Sequence, residues 1–404
     1  MHGKDTTNTT FFKLLEPLNN GRIQKEIRES EVDKYTKKLF FWKFNSLFVY
    51  SMLQQTSSLR ETSIALNNEH LSQELNLKSI SPSQLSRRLR MIPKELLQFI
   101  YSDVLGQLQQ VMVSQGKDKG LNLSIVDSSV ISCAVGKFPW ARFRKTKSGV
   151  KIHLKIQLHD GEAFPVDNTV TTQKDADRTQ MDQLIEYDPD TIYVFDRAYI
   201  DFKKFDQYCS EELLFVTRTK DNTVVTVEEE LPAEGEITKH QKVTLGKGPN
   251  KMKHQMRLLE TLDSEDNVIT IVTNDFDRDV EEIAEIYRRR WQIEIFFKWI
   301  KQHLEIKHLY GNSPQAVENQ ILIALITYCL LLLARYKFKP KEKLLKVKRI
   351  VIACLFESFK SFVRKLNKPP AKTSKGGRRI EHEREYREIE RQVMSGEADH
   401  LLMV

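Results

Sequence analysis

Three acidic residues occupy positions where an acid needs a reason to be. Asp127 lies inside the β-branched run LNLSIVDSSVISC, Asp196 sits where the apolar run TIYVF ends, and Glu294 lies in YRRRWQIEIFFKWIK among large apolar side chains. A carboxylate in such surroundings forfeits hydration and must find a compensating partner. Two kinds of partner are open. One is a pair of divalent cations: magnesium takes hard oxygen ligands, and two ions about 4 Å apart activate an attacking oxygen and stabilise a leaving one in phosphoryl transfer. Two strand-borne aspartates and a helix-borne glutamate would supply rigid carboxylates for that pair. The other is structural, with Asp127 and Asp196 as cap or turn residues and Glu294 in an ion-pair ladder with Arg290 and Lys301.

Helix geometry narrows the surroundings of Glu294. At about 100° per residue with Tyr287 as origin, Arg290 falls at roughly −60°, Glu294 at roughly −20° and Lys301 at roughly −40°. All four share one stripe. Ile286, Ile293, Phe297, Ile300 and Leu304 flank it on one side, and Trp291, Ile295 and Trp299 on the other.

The rest of the chain must build the elements that carry these groups. Residues 1 to about 118 read as helical, with apolar residues at helical spacing in EVDKYTKKLFFWKFNSLFVYSMLQQ and PKELLQFIYSDVLGQLQQVMVSQ. Between them SPSQLSRRLRMIP predicts a short helix opened by Ser81-Pro82 and displaying Gln84, Arg87 and Arg88. It resembles the second helix of a helix-turn-helix, and equally an amphipathic helix with a solvated basic face. β-texture begins near Gly120. Val150, Ile152, Leu154, Ile156 and Leu158 alternate, with a turn signal at Asp160-Gly161, and LLFVTRT predicts a further strand. Residues 221–267 are polar and β-leaning with turn signals at PAEGE and GKGPN, which predicts an inserted β-rich module. VITIVTN returns to the core, and a long helix is expected from Asp279 with Glu282 as its capping-box partner.

Residues 321–334, ILIALITYCLLLLA, fall short of the about 20 residues of a membrane span and predict a buried core helix. RYKFKPKEKLLKVKR then carries eight lysines or arginines against one glutamate, and RRIEHEREYREIERQV predicts an exposed closing helix.

The spacing Tyr287-x2-Arg290-x3-Glu294-x6-Lys301 resembles the YREK signature of DDE transposases of the insertion-sequence-four type. Asp196-Arg197-Ala198-Tyr199 is similar to that family's second-aspartate motif and SIVDSSVI to its first. The order Asp, Asp, Glu agrees, and the long gap from Asp196 to Glu294 matches a β-rich insertion that the family places there. The resemblance implies an α/β, ribonuclease-H-like catalytic core over residues 119–336, interrupted by the β-rich insertion at 221–267. An all-helical DNA-end-binding domain, 1–118, would precede it and a basic helical tail, 337–404, would follow. It implies that Asp127, Asp196 and Glu294 are the catalytic residues and ligate two Mg2+ ions, with Mn2+ able to substitute. Tyr287, Arg290 and Lys301 would grip phosphates of the distorted DNA end, and Arg197 and Tyr199, also expected among the DNA contacts, would support the site. The partners it implies are double-stranded DNA, as the element's terminal inverted repeats and as target, and a second copy of the chain in a synaptic homodimer.

Bulk properties agree with that expectation without requiring it. The chain has 404 residues, 40% of them hydrophobic and 29% charged, and a net charge of +8 that suits a polyanion. In KFPWARFRKTKSGVK, Trp140 and Phe143 alternate with Arg142, Arg144 and Lys145, which suits DNA bases and phosphates or simply a solvated loop. His153 and His159 read as structural. Cys133, Cys209, Cys329 and Cys354 lack zinc-ligand spacing and read as thiols of a reducing compartment. No signal-peptide pattern opens the chain, so a cytoplasmic, nucleoid-associated bacterial protein with no membrane partner is expected. Two rivals remain: a non-catalytic DNA-binding descendant of a transposase, and a ribonuclease-H-like nuclease that cuts without joining.

Overall fold

The computed structural model describes residues 8–114, 122–159, 162–233, 235–262, 267–339 and 341–369. The first stretch is helical: α1 (Thr10–Leu15), α2 (Gly21–Glu29), α3 (Phe41–Gln54), α4 (Leu59–Ile64), α5 (Glu69–Glu74), α6 (Pro82–Met91) and α7 (Lys94–Ser114). Short polar side chains cap the starts of α1, α2, α4, α5 and α6. Asn20 Oδ1 accepts the Ile23 N–H at 3.0 Å to start α2. Ser81 and Gln84 form a reciprocal capping box at α6, with Pro82 in the first turn. Gln84 is therefore engaged at the helix start.

The strands follow as β1 (Leu123–Cys133), β2 (Arg142–Arg144), β3 (Lys147–His159), β4 (Glu162–Thr172), β5 (Ile192–Phe195), β6 (Leu214–Arg218), β7 (Val225–Glu230), β8 (Ile237–Leu245), β9 (Met256–Leu262) and β10 (Val268–Thr273). The helices α8 (Met181–Leu184) and α9 (Phe202–Ser210) lie between them; α10 (Val280–Arg288), α11 (Gln292–His303), α12 (Pro314–Phe338), α13 (Leu344–Ala353) and α14 (Phe359–Leu366) complete the described chain. One sheet runs β2-β3-β1-β5-β6-β10-β9-β8-β7, with β4 on β3. β3 is antiparallel to β1 and β4, whereas β1, β5 and β6 run parallel. The β-rich stretch expected as an inserted module is continuous with this sheet: β10 pairs with both β6 and β9, and β8 and β7 extend it further.

α12 organises the core. Among the described residues it is the one helix long and apolar enough to cross a membrane, and it is buried inside the protein. It packs on α7, α6 and α3 on one side and reaches β4 on another. Asn319 in its buried face donates to the carbonyls of Leu89 and Ile92 at 2.8 and 2.9 Å, satisfying the end of α6. Phe11 N–H also bonds Leu355 O at 2.8 Å, and Thr10 N–H bonds Glu357 O at 2.9 Å. A single apolar cluster therefore runs from Phe11 to Leu366. The N-terminal helices and the sheet share it. A second, smaller cluster lies on the other face of the sheet around Phe195, Tyr199, Phe205 and Phe215.

Three local expectations meet a different outcome or fall outside view. The helix expected from Asp279 is broken: α10 ends at Arg288, Arg289–Trp291 form a 3-10 turn, and α11 resumes at Gln292. Asp279 makes no side-chain cap, and Glu282 lies 3.5 Å from Arg278 instead of closing a capping box. The Asp160-Gly161 turn and the closing helix of the tail lie outside the described residues. All four cysteines are free thiols.

Burial makes one prediction about pH. Glu74 accepts a hydrogen bond from Thr9 Oγ1 at 2.6 Å, and desolvation raises its carboxyl from 4.5 to about 7. The folded protein then keeps a proton that the unfolded chain has lost. The contribution to stability is full below about 4.5 and lost as pH rises through about 7. Because the carboxyl is only partly buried, solvent screening reduces the contribution to on the order of 1 to 2 kcal/mol. Glu74→Gln, which cannot ionise, should lose this slope, so that thermal unfolding shows the variant gaining on wild type between pH 5 and pH 8. Parallel pH dependence in the two proteins would exclude the assignment.

Candidate active site

β1 and β5 are parallel and in register through Val126 and Phe195. Asp127 and Asp196 are the next residues, side by side where the two strands part. A crevice outside the carboxyl ends of parallel strands is where open α/β sheets bind ligands. β1 continues past this point with β3 alone, Asp127 lying opposite Leu154, while the chain after Asp196 enters a 3-10 turn, Arg197–Tyr199.

Strand alternation turns Asp127 toward α11, where Arg290 joins it to Glu294. The guanidinium lies 2.7 Å from Glu294 Oε1 through Nη2 and 3.4 Å from Asp127 Oδ2 through Nη1. Asp127 also accepts the Ser128 N–H at 2.7 Å. Burial is the main cause that pushes the Asp127 carboxyl up to about 7; Arg290 opposes the rise, and repulsion from Glu294 and Asp196 adds to it. Burial acts to lower the Arg290 pKa, but Tyr287, Glu294, Asp127 and Asp196 outweigh it and hold the guanidinium charged. Tyr287 is buried, with Arg290 6.0 Å from its ring centre.

A residue that sequence reasoning passed over completes the arrangement. Arg218 ends β6, and its Nε lies 3.3 Å from Asp196 Oδ1. The two atoms are buried and misaligned, so neither makes a hydrogen bond. The available signal was the one arginine in LLFVTRT, on a strand that neighbours β5.

Lys301 corrects the ladder reading. It is only 9% exposed, and its ammonium donates to Ser129 Oγ at 2.8 Å and Val130 O at 2.9 Å, not to Glu294. Burial, with a smaller effect of Lys307, lowers its pKa to about 8. Lys301 thus ties α11 to β1 just beyond Asp127 and does not offer its charge to a phosphate in this arrangement. Tyr199 is also corrected as a DNA contact, because it has no exposed surface. Arg88 turns inward to Asp33 and the carbonyl of Val32, leaving Arg87 and Arg90 on the outer face of α6. Arg197 is exposed, 3.7 Å from Asp221. Arg142, Arg144 and Lys145 are exposed on the β2–β3 hairpin, and Arg142 bends back onto the carbonyls of Arg144 and Lys145. Among the described residues, neither hydrogen bond nor ion pair joins Arg87, Arg142, Arg144 or Lys145 to the three carboxylates.

The donor set suits a hard cation, although among the described residues no three acidic, histidine or cysteine side chains are gathered tightly enough to hold one. Arg290 lies between Asp127 and Glu294. Asp196 Oδ1 is buried without a hydrogen bond, and the misaligned Arg218 guanidinium at 3.3 Å offsets its desolvation by charge alone. Excess negative charge and an unsatisfied carboxylate oxygen are both relieved by a divalent ion with oxygen ligands.

Comparison with known proteins adds to this geometry. The sequence family described as the transposase DDE domain matches residues 118–330, more than half of the chain. A family described as a domain of unknown function matches residues 6–76. A protein of Sinorhizobium fredii named as transposase y4zB is 31% identical over 267 residues, covering 64% of this chain and 74% of its own length. Another, from Geobacillus stearothermophilus and named as the transposase for insertion sequence element IS5377, is 28% identical over 288 residues, covering 70% of this chain and 72% of its own. A solved chain titled as a piggyBac transposase synaptic complex with hairpin DNA covers 90% of this chain and 83% of its own at 12% identity and a TM-score of 0.45, too slight a likeness to argue from.

Proposed function

The chain belongs to the DDE transposase family, and we propose that it cuts and rejoins DNA at the ends of its own insertion sequence through Asp127, Asp196 and Glu294. One observation carries this reading: two aspartates stand side by side where two adjacent parallel strands part, and Arg290 links one of them to Glu294. The three carboxylates would hold Mg2+, for which Mn2+ can substitute. Bound there, the ions would offset charge on the scissile phosphate and lower the pKa of the attacking hydroxyl or water. Arg290 and Arg218 place fixed positive charge beside the same carboxylates, where a phosphate would enter. Tyr287 gives Arg290 a buried wall to lean on. Asp127 must lose its proton to act as a ligand, and Arg290 favours that loss.

The order β4-β3-β1-β5-β6, an antiparallel meander followed by two parallel strands, supports a ribonuclease-H-like core. The exposed basic face of α6 supports end recognition by the segment 1–118, with 119–336 as catalytic core and 337–404 as basic tail. We place the chain in the YREK, hairpin-forming group on its motif spacing, acting as a homodimer that brings two inverted repeats together.

A time course tests this on an end-labelled duplex carrying the inverted repeat that flanks the reading frame. Mg2+ or Mn2+ should produce nicked, hairpin and resolved species in turn, and joined products with a target plasmid. Ca2+ should permit binding with little cleavage, and EDTA none. Closing a hairpin crowds phosphates and unstacks bases, costing a few kcal/mol. Arg290→Ala should slow hairpin closure a further roughly 10- to 100-fold beyond its effect on nicking, the worth of one charged hydrogen bond. Equal slowing of both steps would mean that Arg290 acts only by placing Glu294. Nicking without joined products would favour the plain nuclease.

A further inference from the structure

On the sheet face turned away from α11 lies a buried polar cluster that this chemistry does not use. Asp177 opens a 3-10 turn, Asp177–Gln180, and accepts a hydrogen bond from Ser128 Oγ at 2.6 Å. Lys151 Nζ lies 3.1 Å from Asp177 Oδ1, with the two side chains 11% and 16% exposed. The same ammonium donates to the Asp175 carbonyl at 3.1 Å. His153 is fully buried. Its Nδ1 lies 3.5 Å from Asp177 Oδ1 and 3.4 Å from the Tyr199 hydroxyl, and its Nε2 meets Thr171 Oγ1 at 2.8 Å. Ser128 and His153 are direct cross-strand partners.

Each end of this cluster abuts a carboxylate of the site. Ser128 follows Asp127 and donates its N–H to Asp127 Oδ1. Tyr199 closes the turn after Asp196, its N–H bonding Asp196 O at 3.0 Å. β1 needs support at this point, because its pairing with β5 stops at Val126 and only β3 holds it at Asp127. Through Ser128, Asp177 takes the place of the missing neighbour. A buried ion pair is a poor source of net stability, since desolvation consumes most of the attraction. Its directional hydrogen bonds can still fix where a strand end lies.

We propose that Asp177 is a positioning residue for DNA cleavage: by clamping Ser128, with Lys151 balancing its charge, it fixes β1 at Asp127, beside Asp196, where a cation would be held. This rests on the function proposed above. Groups behind metal ligands commonly contribute 10- to 100-fold to affinity or rate.

The test uses the full chain with Ser128→Ala, Ser128→Thr, Asp177→Asn and the Ser128→Ala/Asp177→Asn double variant. Mn2+ binding is read by electron paramagnetic resonance titration, nicking of the inverted-repeat duplex under single turnover, and folding by thermal melt. Ser128→Ala leaves the Asp177–Lys151 pair intact and should melt like wild type, yet bind Mn2+ about tenfold more weakly and nick roughly 10- to 100-fold more slowly. Ser128→Thr keeps the hydroxyl and should recover both. Asp177→Asn should add little in the Ser128→Ala background, as expected of two residues acting through one bond. The proposal is overturned if Ser128→Ala binds Mn2+ and nicks like wild type, if Ser128→Thr is as impaired as Ser128→Ala, or if the two losses add. Should Asp177→Asn fail to fold, the Ser128 pair alone decides. A wild-type chain that neither binds Mn2+ nor nicks would instead sink the proposed function, a result distinct from any of these.

Discussion

Asp127→Asn is expected to lower strand cleavage by about 10³-fold, the upper end of what loss of one electrostatic group costs an active site, while binding to the element's ends survives. The amide keeps the shape of the side chain and can still accept the Ser128 N–H. It cannot supply the charge that a cation or a developing phosphorane draws on. Wild-type Asp127 is buried and repelled by Glu294 and Asp196, so neutralising it removes an unfavourable charge from the metal-free protein. The variant should therefore melt no lower than wild type at pH 8 without metal, even as its activity disappears. Asp196→Asn and Glu294→Gln should be comparably inactive. Gel shift, denaturing-gel cleavage and thermal melts on the same preparations check the set. A variant that cleaves at the wild-type rate would remove its residue from the site.

Deleting residues 1–118 should abolish folding of what remains, a larger effect than loss of end recognition. α12 is apolar on every side, and α7, α6 and α3 cover much of it. Removing them would expose the Leu, Ile and Tyr side chains that those helices bury and orphan Asn319, whose amide caps α6. Losing the packing of a single core leucine costs about 2–5 kcal/mol, and a domain's whole stability is about 5–15 kcal/mol. Several such losses together exceed it. The pairing of Phe11 and Thr10 with Leu355 and Glu357 would go as well. Near-ultraviolet circular dichroism and a melting curve on residues 119–404 should show neither fixed aromatic packing nor a cooperative transition. A soluble fragment with a sharp melt would mean that the core can close without the N-terminal helices.

Much of this molecule was legible in one dimension because the relevant physics is local. A β-branched run placed Asp127 in β1, the end of an apolar run placed Asp196 just after β5, alternation marked β3, and the apolar run at 321–334 marked α12. The tight 3-10 turn at Arg289–Trp291 left no mark on the periodicity, since a helical pattern absorbs one overwound turn. Pairing between elements had no local signature at all. Lys301 shares a stripe with Glu294 on a helical wheel, yet its ammonium goes to Ser129 and Val130 because β1 passes closer than the glutamate does. Arg218 reaches Asp196 only through the side-by-side packing of β5 and β6. The polar stretch at 221–267 looked like a separate module, and backbone hydrogen bonding to β10 made it part of the main sheet. Arg88 and Tyr199 became structural once their neighbours arrived from distant segments. A helix apolar all round, such as α12, does not specify which partners will cover it. Only closing the core decided that the N-terminal helices would, because burying that surface is what makes the chain's most apolar segment compatible with water.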